Sequence, residues 1–262
     1  MCKPASVKVI YDLLNELAPF ETAESFDNVG LLIGSMTGRV DRVLVALDAT
    51  PDVVSEALEL NAQLIVTHHP LMFAGTKRLI YDSYEGGVIA SVIKNDLHLI
   101  AAHTNLDLSP EHSGSACLAR RLKLQNLRQD GFVLVGDLEE GEMAAAALRE
   151  KIAAAEDDEV YLFGNGKTPV KTLGISGGAY DGGFEIARSL GAQAYLTGEV
   201  RHHNAIAAAG TDFVLYQGGH FGTENPLVPE LSKTLQNKLN ELQYSVTVYA
   251  SSCYPYGAQR GI

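Results

Sequence analysis

Leu64-Ile65-Val66-Thr67-His68-His69-Pro70 is the stretch that decides the fold. Three consecutive aliphatic residues, two of them β-branched, predict a strand buried on both faces, and Pro70 stops further pairing. Upstream, Arg42 to Leu47 reads as a strand and Asp52 to about Leu60 as a helix, with Thr50 as N-cap and Pro51 at the first helical position. Strand, helix and strand make a β-α-β unit, whose right-handed crossover sets the two strands parallel. Ligands of α/β sheets bind beyond the carboxyl ends of the strands. His68 and His69 stand at such an end and are candidate metal ligands; the alternative is one structural imidazole beside a polar neighbour.

The same unit recurs 130 residues later. Ala57-Leu58-Glu59-Leu60-Asn61-Ala62-Gln63-Leu64-Ile65-Val66-Thr67 lies over Ala187-Arg188-Ser189-Leu190-Gly191-Ala192-Gln193-Ala194-Tyr195-Leu196-Thr197, with five of the eleven positions identical. The preceding strands, Val43 to Leu47 and Leu173 to Gly177, fall into step under that shift. An offset of half the chain points to duplication of one α/β unit, since solenoid repeats are much shorter. The expected organisation is a first domain over residues 1–126, completed by 225–250, a related second domain over 127–224, and a loose tail over 251–262.

Further strand ends carry chemistry. Leu97 to Ala102 ends in His103-Thr104-Asn105-Leu106-Asp107, which adds an imidazole and a hard carboxylate to the first pair. Such an N/O set suits Zn, Fe, Mn or Ni. In the second half, Phe213 to Gln217 leads into Gly218-Gly219-His220-Phe221-Gly222-Thr223-Glu224. There a helical turn sets His220 and Glu224, four apart, on one face. Adjacent extended residues point their side chains apart, so His68 and His69 are better placed to serve two ions than to chelate one. Between the halves, 127–137 reads as one strand, and 160–163 and 170–175 as a hairpin about Gly164-Asn165-Gly166-Lys167.

Composition narrows the partners. Twenty Lys and Arg against 32 Asp and Glu give a formal charge of −12, which argues against a non-specific nucleic-acid or anionic-membrane surface. Cys2, Cys117 and Cys253 are widely spaced and form no C-x-x-C, fitting a reducing cytoplasm rather than a disulfide framework. No signal peptide or membrane span is visible.

Five motifs taken together, Phe26-Asp27-Asn28-Val29-Gly30-Leu31, Thr67-His68-His69-Pro70, His103-Thr104-Asn105-Leu106-Asp107, Thr197-Gly198-Glu199 and Gly219-His220-Phe221-Gly222-Thr223-Glu224, resemble those of the NGG-interacting-factor-three-like (YbgI) family. That family is often labelled GTP cyclohydrolase I type 2 homologue. The resemblance implies two related three-layer α/β domains, a dinuclear metal centre in the cleft between them, and a ring-shaped homohexamer. It places metal ligands at His68, His69, Asp107, His220 and Glu224, with Glu224 bridging two divalent ions, and His103 close by as a positioning or proton-transfer group. Phe26 departs from the Trp expected there. Two divalent ions held by imidazoles and carboxylates acidify bound water and polarise carbonyl or phosphoryl oxygens. The expected function is therefore metal-dependent hydrolysis of a small molecule, a nucleotide by the family label. The alternative is a metal-bearing scaffold or regulatory protein without catalysis.

Overall fold

The structure, a computed structural model, describes residues 3–256. Cys2 and residues 257–262 of the expected tail lie outside the described residues. The chain runs β1 (Ala5–Ser6), α1 (Val7–Leu17), β2 (Gly30–Ile33), β3 (Arg39–Val40), β4 (Arg42–Ala46), α2 (Pro51–Glu59), β5 (Leu64–Thr67), α3 (Tyr84–Lys94), β6 (His98–Ala101) and α4 (Thr104–Asp107). Next come α5 (Gly114–Arg121), β7 (Gln125–Asp130), β8 (Val133–Asp137), β9 (Met143–Ala144), α6 (Ala145–Glu156), β10 (Tyr161–Phe163), β11 (Pro169–Val170), β12 (Thr172–Ser176) and α7 (Gly183–Ser189). The rest is β13 (Ala194–Thr197), α8 (His202–Ala209), β14 (Val214–Gln217), α9 (His220–Glu224), α10 (Leu227–Glu241) and β15 (Thr247–Ala250).

Two compact units result, Met1–Ser109 with Val228–Ile262, and Pro110–Leu227. The boundary lies earlier than the expected 126/127 because α5 buries Ala116, Leu118 and Ala119, and its C-cap Leu122 follows them, in the core of the second unit. In the first unit the sheet order is β15-β4-β5-β6-β2; in the second it is β10-β14-β13-β12-β8-β7. Both are α/β sheets covered on two faces. Leu44, Ile65 and Leu99 pack with α2 and α3 on one face of the first, while Val43, Val45, Leu64 and Val66 are buried on the other. In the second, Leu173, Ile175 and Leu196 join one core cluster and Val133, Val135, Tyr195 and Leu215 another.

The repeat reaches individual hydrogen bonds. Strand β4 pairs parallel with β5 from Val43 opposite Leu64 to Ala46 opposite Thr67, and β12 pairs with β13 from Leu173 opposite Ala194 to Ser176 opposite Thr197, each pair shifted by 130. The Gln63 side chain accepts from the amides of Asp41 and Arg42, and the Gln193 side chain from those of Lys171 and Thr172. One sheet edge breaks the symmetry. Strand β15 is parallel to β4, whereas β8 is antiparallel to β12.

Local expectations are corrected in three places. Residues 127–137 are not one strand: the chain turns at Gly131, with φ of 55°, and β7 folds back on β8. Strand β10 pairs with β14, and β12 lies between β13 and β8, so the segments flanking residues 164–167 form no hairpin. The start of the tail is anchored, since Glu56 accepts from the Ser252 amide at 3.0 Å and from the Ser251 hydroxyl. Among the described residues no helix is long and apolar enough to cross a membrane.

Candidate metal centre

In the first unit the register sets four polar segments along one sheet edge. Ala46, Thr67 and Ala101 are neighbours at the carboxyl ends of β4, β5 and β6, and antiparallel β2 begins beside Ala101. Asp48, His68, His69, His103 and Asp27 follow or precede these ends directly. The His68 and His69 ring centroids lie 5.0 Å apart, His68 and His103 5.1 Å, and His69 and His103 5.4 Å. One ligand atom from each of the three residues falls within 4.8 Å of the others. The expected divergence of His68 and His69 is therefore slight, and their adjacency alone does not assign one ion or two.

Each imidazole is held by the same nitrogen. His68 Nδ1 donates to the Ala102 carbonyl at 2.9 Å, His69 Nδ1 to Asp48 Oδ1 at 2.8 Å and His103 Nδ1 to Asp27 Oδ1 at 3.0 Å. Carbonyl and carboxylate oxygens only accept, so Nδ1 carries a proton, and in the neutral imidazole Nε2 keeps its lone pair. This is how metal-binding histidines are prepared. His68 Nε2 stands 3.4 Å from Asp107 Oδ1, which α4 presents. The Asp27 side chain is shielded from solvent and also accepts from the Thr104 amide at 3.0 Å and hydroxyl at 2.5 Å. Burial alone would push its carboxyl up; the bonds from the Thr104 hydroxyl, His103 and the Thr104 amide outweigh that and hold it below the usual value.

In the second unit, β12, β13 and β14 end side by side at Ser176, Thr197 and Gln217. From the last of these ends, Gly219 with φ of 76° turns the chain into α9. His220 Nδ1 donates to Glu199 Oε1 at 2.8 Å, so the same tautomer is set here, and Nε2 stands 3.2 Å from Oε2 of buried Glu224. The glycines at the neighbouring ends make this possible. A Cβ on Gly178, whose φ is 64°, would overlap Glu224 Oε1, and one on Gly198 would come within 2.8 Å of His220 Cα. The Gly177-Gly178 turn thus makes room for a carboxylate.

Of the five residues expected as ligands, His68, His69 and Asp107 lie in the first unit, where His103 joins His68 and His69, and His220 and Glu224 lie together in the second. The residue missed from the sequence is Asp48, which reads as a helix-entry residue before Thr50 and Pro51. Its position at the strand end next to that of His69 was the available signal. Asp27 and Glu199 lay inside recognised motifs but carried no assigned role; both are the carboxylates that orient a histidine.

Residues 5–256 match the Duf34/NIF3 (NGG1p interacting factor 3) family. A protein of Streptomyces coelicolor named GTP cyclohydrolase 1 type 2 homolog is 35% identical over 81% of this chain and 79% of its own length. A Clostridium acetobutylicum protein of the same name is 29% identical over 94% of this chain and 95% of its own. The crystal structure of Staphylococcus aureus hypothetical protein SA1388 superposes with a TM-score of 0.91 at 28% identity, covering 98% of this chain and 99% of that one. A Bacillus cereus protein related to NIF3 shares the fold with a TM-score of 0.90 at 22% identity, over 96% and 98% of the two chains. The chain belongs to the Duf34/NIF3 family.

Proposed function

We propose, from its membership of the Duf34/NIF3 family, that the protein binds two divalent cations and uses them to hydrolyse a small molecule. Nucleotides are the first class to test, in keeping with the name borne by its relatives. In this reading His68, His69 and Asp107 of the first unit and His220 and Glu224 of the second would hold the ions. Zn, Fe, Mn and Ni all suit this donor set. Assembly as a ring-shaped homohexamer is part of the same proposal.

One observation carries it. In His68–Asp107 and again in His220–Glu224, an imidazole Nε2 faces a carboxylate oxygen, at 3.4 and 3.2 Å. Each pair sets a nitrogen and an oxygen donor side by side, as a shared cation would need. When bound, divalent cations acidify water and polarise carbonyl or phosphoryl oxygens. The protein's own groups do the rest. The Ala102 carbonyl, Asp48 and Glu199 fix the rotation and tautomer of three imidazoles. His103, held at Nδ1 by Asp27, presents Nε2 as a site to hold or pass a proton beside the ligand cluster.

The test is metal quantification on the purified chain, followed by turnover assays on GTP, phosphoesters and cyclic amides after metal loading. Two ions per chain with turnover on one class is the expected result. Glu224→Ala should lose metal without changing the sedimentation of the assembly. Unchanged metal content in that variant removes Glu224 from the ligand set, and full metal content with no turnover on any class favours a non-catalytic scaffold.

A further inference from the structure

Two aromatic rings in the first unit stand in solvent beside the histidines. Phe26 is 62% exposed and Phe73 50% exposed, yet their ring centroids lie only 6.1 Å apart, at an interplanar angle of 49°. Phe73 is in turn 6.2 Å from the His103 ring, edge to face at 76°. Single exposed apolar residues are ordinary, but two rings in contact at the rim of a polar cluster leave a continuous apolar face in water.

Neither ring hangs on a slack segment. Asp27, next to Phe26, has its side chain out of solvent and bonded to His103 and Thr104. Asn28 Nδ2 donates to the Met72 carbonyl at 2.5 Å, which ties the backbone beside Phe73 to the segment that carries Phe26. Asp27, which orients His103, and the Asn28–Met72 bond thus tie the backbone beside both phenyl groups to the segment that holds His103. Their tilt and separation leave no slot between them for a third ring, so what they offer is a stacking face.

We propose that Phe26 and Phe73 form a platform that takes the planar heteroaromatic ring of the substrate and holds it next to His103. The proposal deepens the hydrolase reading and rests on it for the word substrate; the platform itself makes no use of a metal. Phenyl faces stack on any flat π-system with little regard to its hydrogen-bonding edge, so the platform selects for a nucleobase-like ring rather than for one base. A ligand lacking such a ring gains nothing from it.

Calorimetric titration of the full chain, with and without added Mn²⁺, tests this with guanosine and cytidine as ring probes and ribose and tripolyphosphate as ringless ones. Both nucleosides should bind more tightly than ribose. Phe73→Ala and Phe26→Ala should each weaken nucleoside binding about 5- to 100-fold, the usual range for one base stacked on one aromatic residue. Tripolyphosphate binding should stay as it is. Phe73→Tyr should restore nucleoside binding and Phe73→Leu should not, which separates stacking from mere bulk and covers a poorly folded alanine variant. Nucleosides that bind no better than ribose, or variants that bind them as the parent does, overturn the proposal. So does a changed sedimentation coefficient in the variants with nucleoside binding intact, which makes the face a contact between copies of the chain. Because the nucleoside comparison is made with and without Mn²⁺, loss of the metal reading leaves this result standing, and failure here leaves the metal reading standing.

Discussion

Replacing Glu156 with glutamine should remove a pH dependence from the stability of the second unit. Glu156 ends α6, is only 3% exposed, and neither of its carboxyl oxygens has a hydrogen-bond partner among the described residues. Its carboxyl group fills the space that a side chain at Gly218 would take. Burial, with a further push from Asp158, raises its pKa from 4.5 to about 9. The folded protein therefore keeps a proton on Glu156 between these values while the unfolded chain gives it up. Stability contributed at this site is complete below the unfolded value and falls as pH rises, by about 1.4 kcal/mol per pH unit. From pH 5.5 to 7.5 the loss amounts to about 2.7 kcal/mol. A glutamine cannot ionise, so the stability of Glu156→Gln relative to the parent should rise by that amount over the same interval. Urea denaturation followed by circular dichroism at the two pH values measures it, and taking the difference between the proteins cancels every other titrating group. Parallel pH profiles for parent and variant would refute the reasoning, because they would mean the carboxyl ionises as easily in the folded state as in the unfolded one.

Other perturbations read different parts of the molecule. Asp48→Ala frees the His69 ring and should weaken divalent-metal affinity about 10- to 100-fold, measured by competition with a chelating dye, while leaving the far-ultraviolet spectrum unchanged. Asp27 is held below its unfolded value of 3.8, so the stability it confers is present above that value and disappears as pH falls through the folded one. Asp27→Asn should accordingly flatten the drop in melting temperature between pH 5 and pH 3; an undiminished drop shows that other carboxylates cause it. Gly178→Ala forces a Cβ into a left-handed conformation and against the Glu224 carboxylate, which should cost roughly 1 kcal/mol or more and lower metal retention together. A lower urea midpoint with full metal retention would separate the backbone cost from the site.

How much of this was legible in the sequence follows from which forces are local. The β-α-β units could be read because buried parallel strands need unbroken apolar runs, and the 130-residue repeat could be read because Ala57, Ala62, Gln63 and Thr67 return in register. The candidate ligand residues could be picked out because strand ends are marked by the end of those runs. What failed was pairing between segments distant in sequence. Strand β10 looks like the partner of its neighbour across a glycine turn, but it completes the edge next to β14 instead. Gly131 reverses a segment whose composition reads as continuous strand. Asp48 escaped notice because its role depends on β4 and β5 lying side by side, a fact of the sheet and not of the local sequence.

The repeat also explains why the two units present different donors. Under the 130-residue shift His68 corresponds to Gly198, His69 to Glu199 and Asp48 to Gly178. In the first unit the end of β5 supplies two imidazoles, and the neighbouring end of β4 supplies the carboxylate that orients one of them. In the second unit the end of β13 supplies an orienting carboxylate in place of an imidazole, and the imidazole it orients comes from α9. The position that holds Asp48 in one copy is a glycine in the other, and the space so opened is where the Glu224 carboxylate lies. The strand end that gives an imidazole to such a hydrogen bond in the first copy thus gives the carboxylate in the second. Restoring the first unit's residue by Gly178→Asp would place two carboxylates in one buried space. It should expel Glu224 from its place beside His220, abolish metal retention and leave the His69–Asp48 pair untouched. A Gly178→Asp protein that retains full metal content would show that the Glu224 carboxylate in this space is not needed to hold metal.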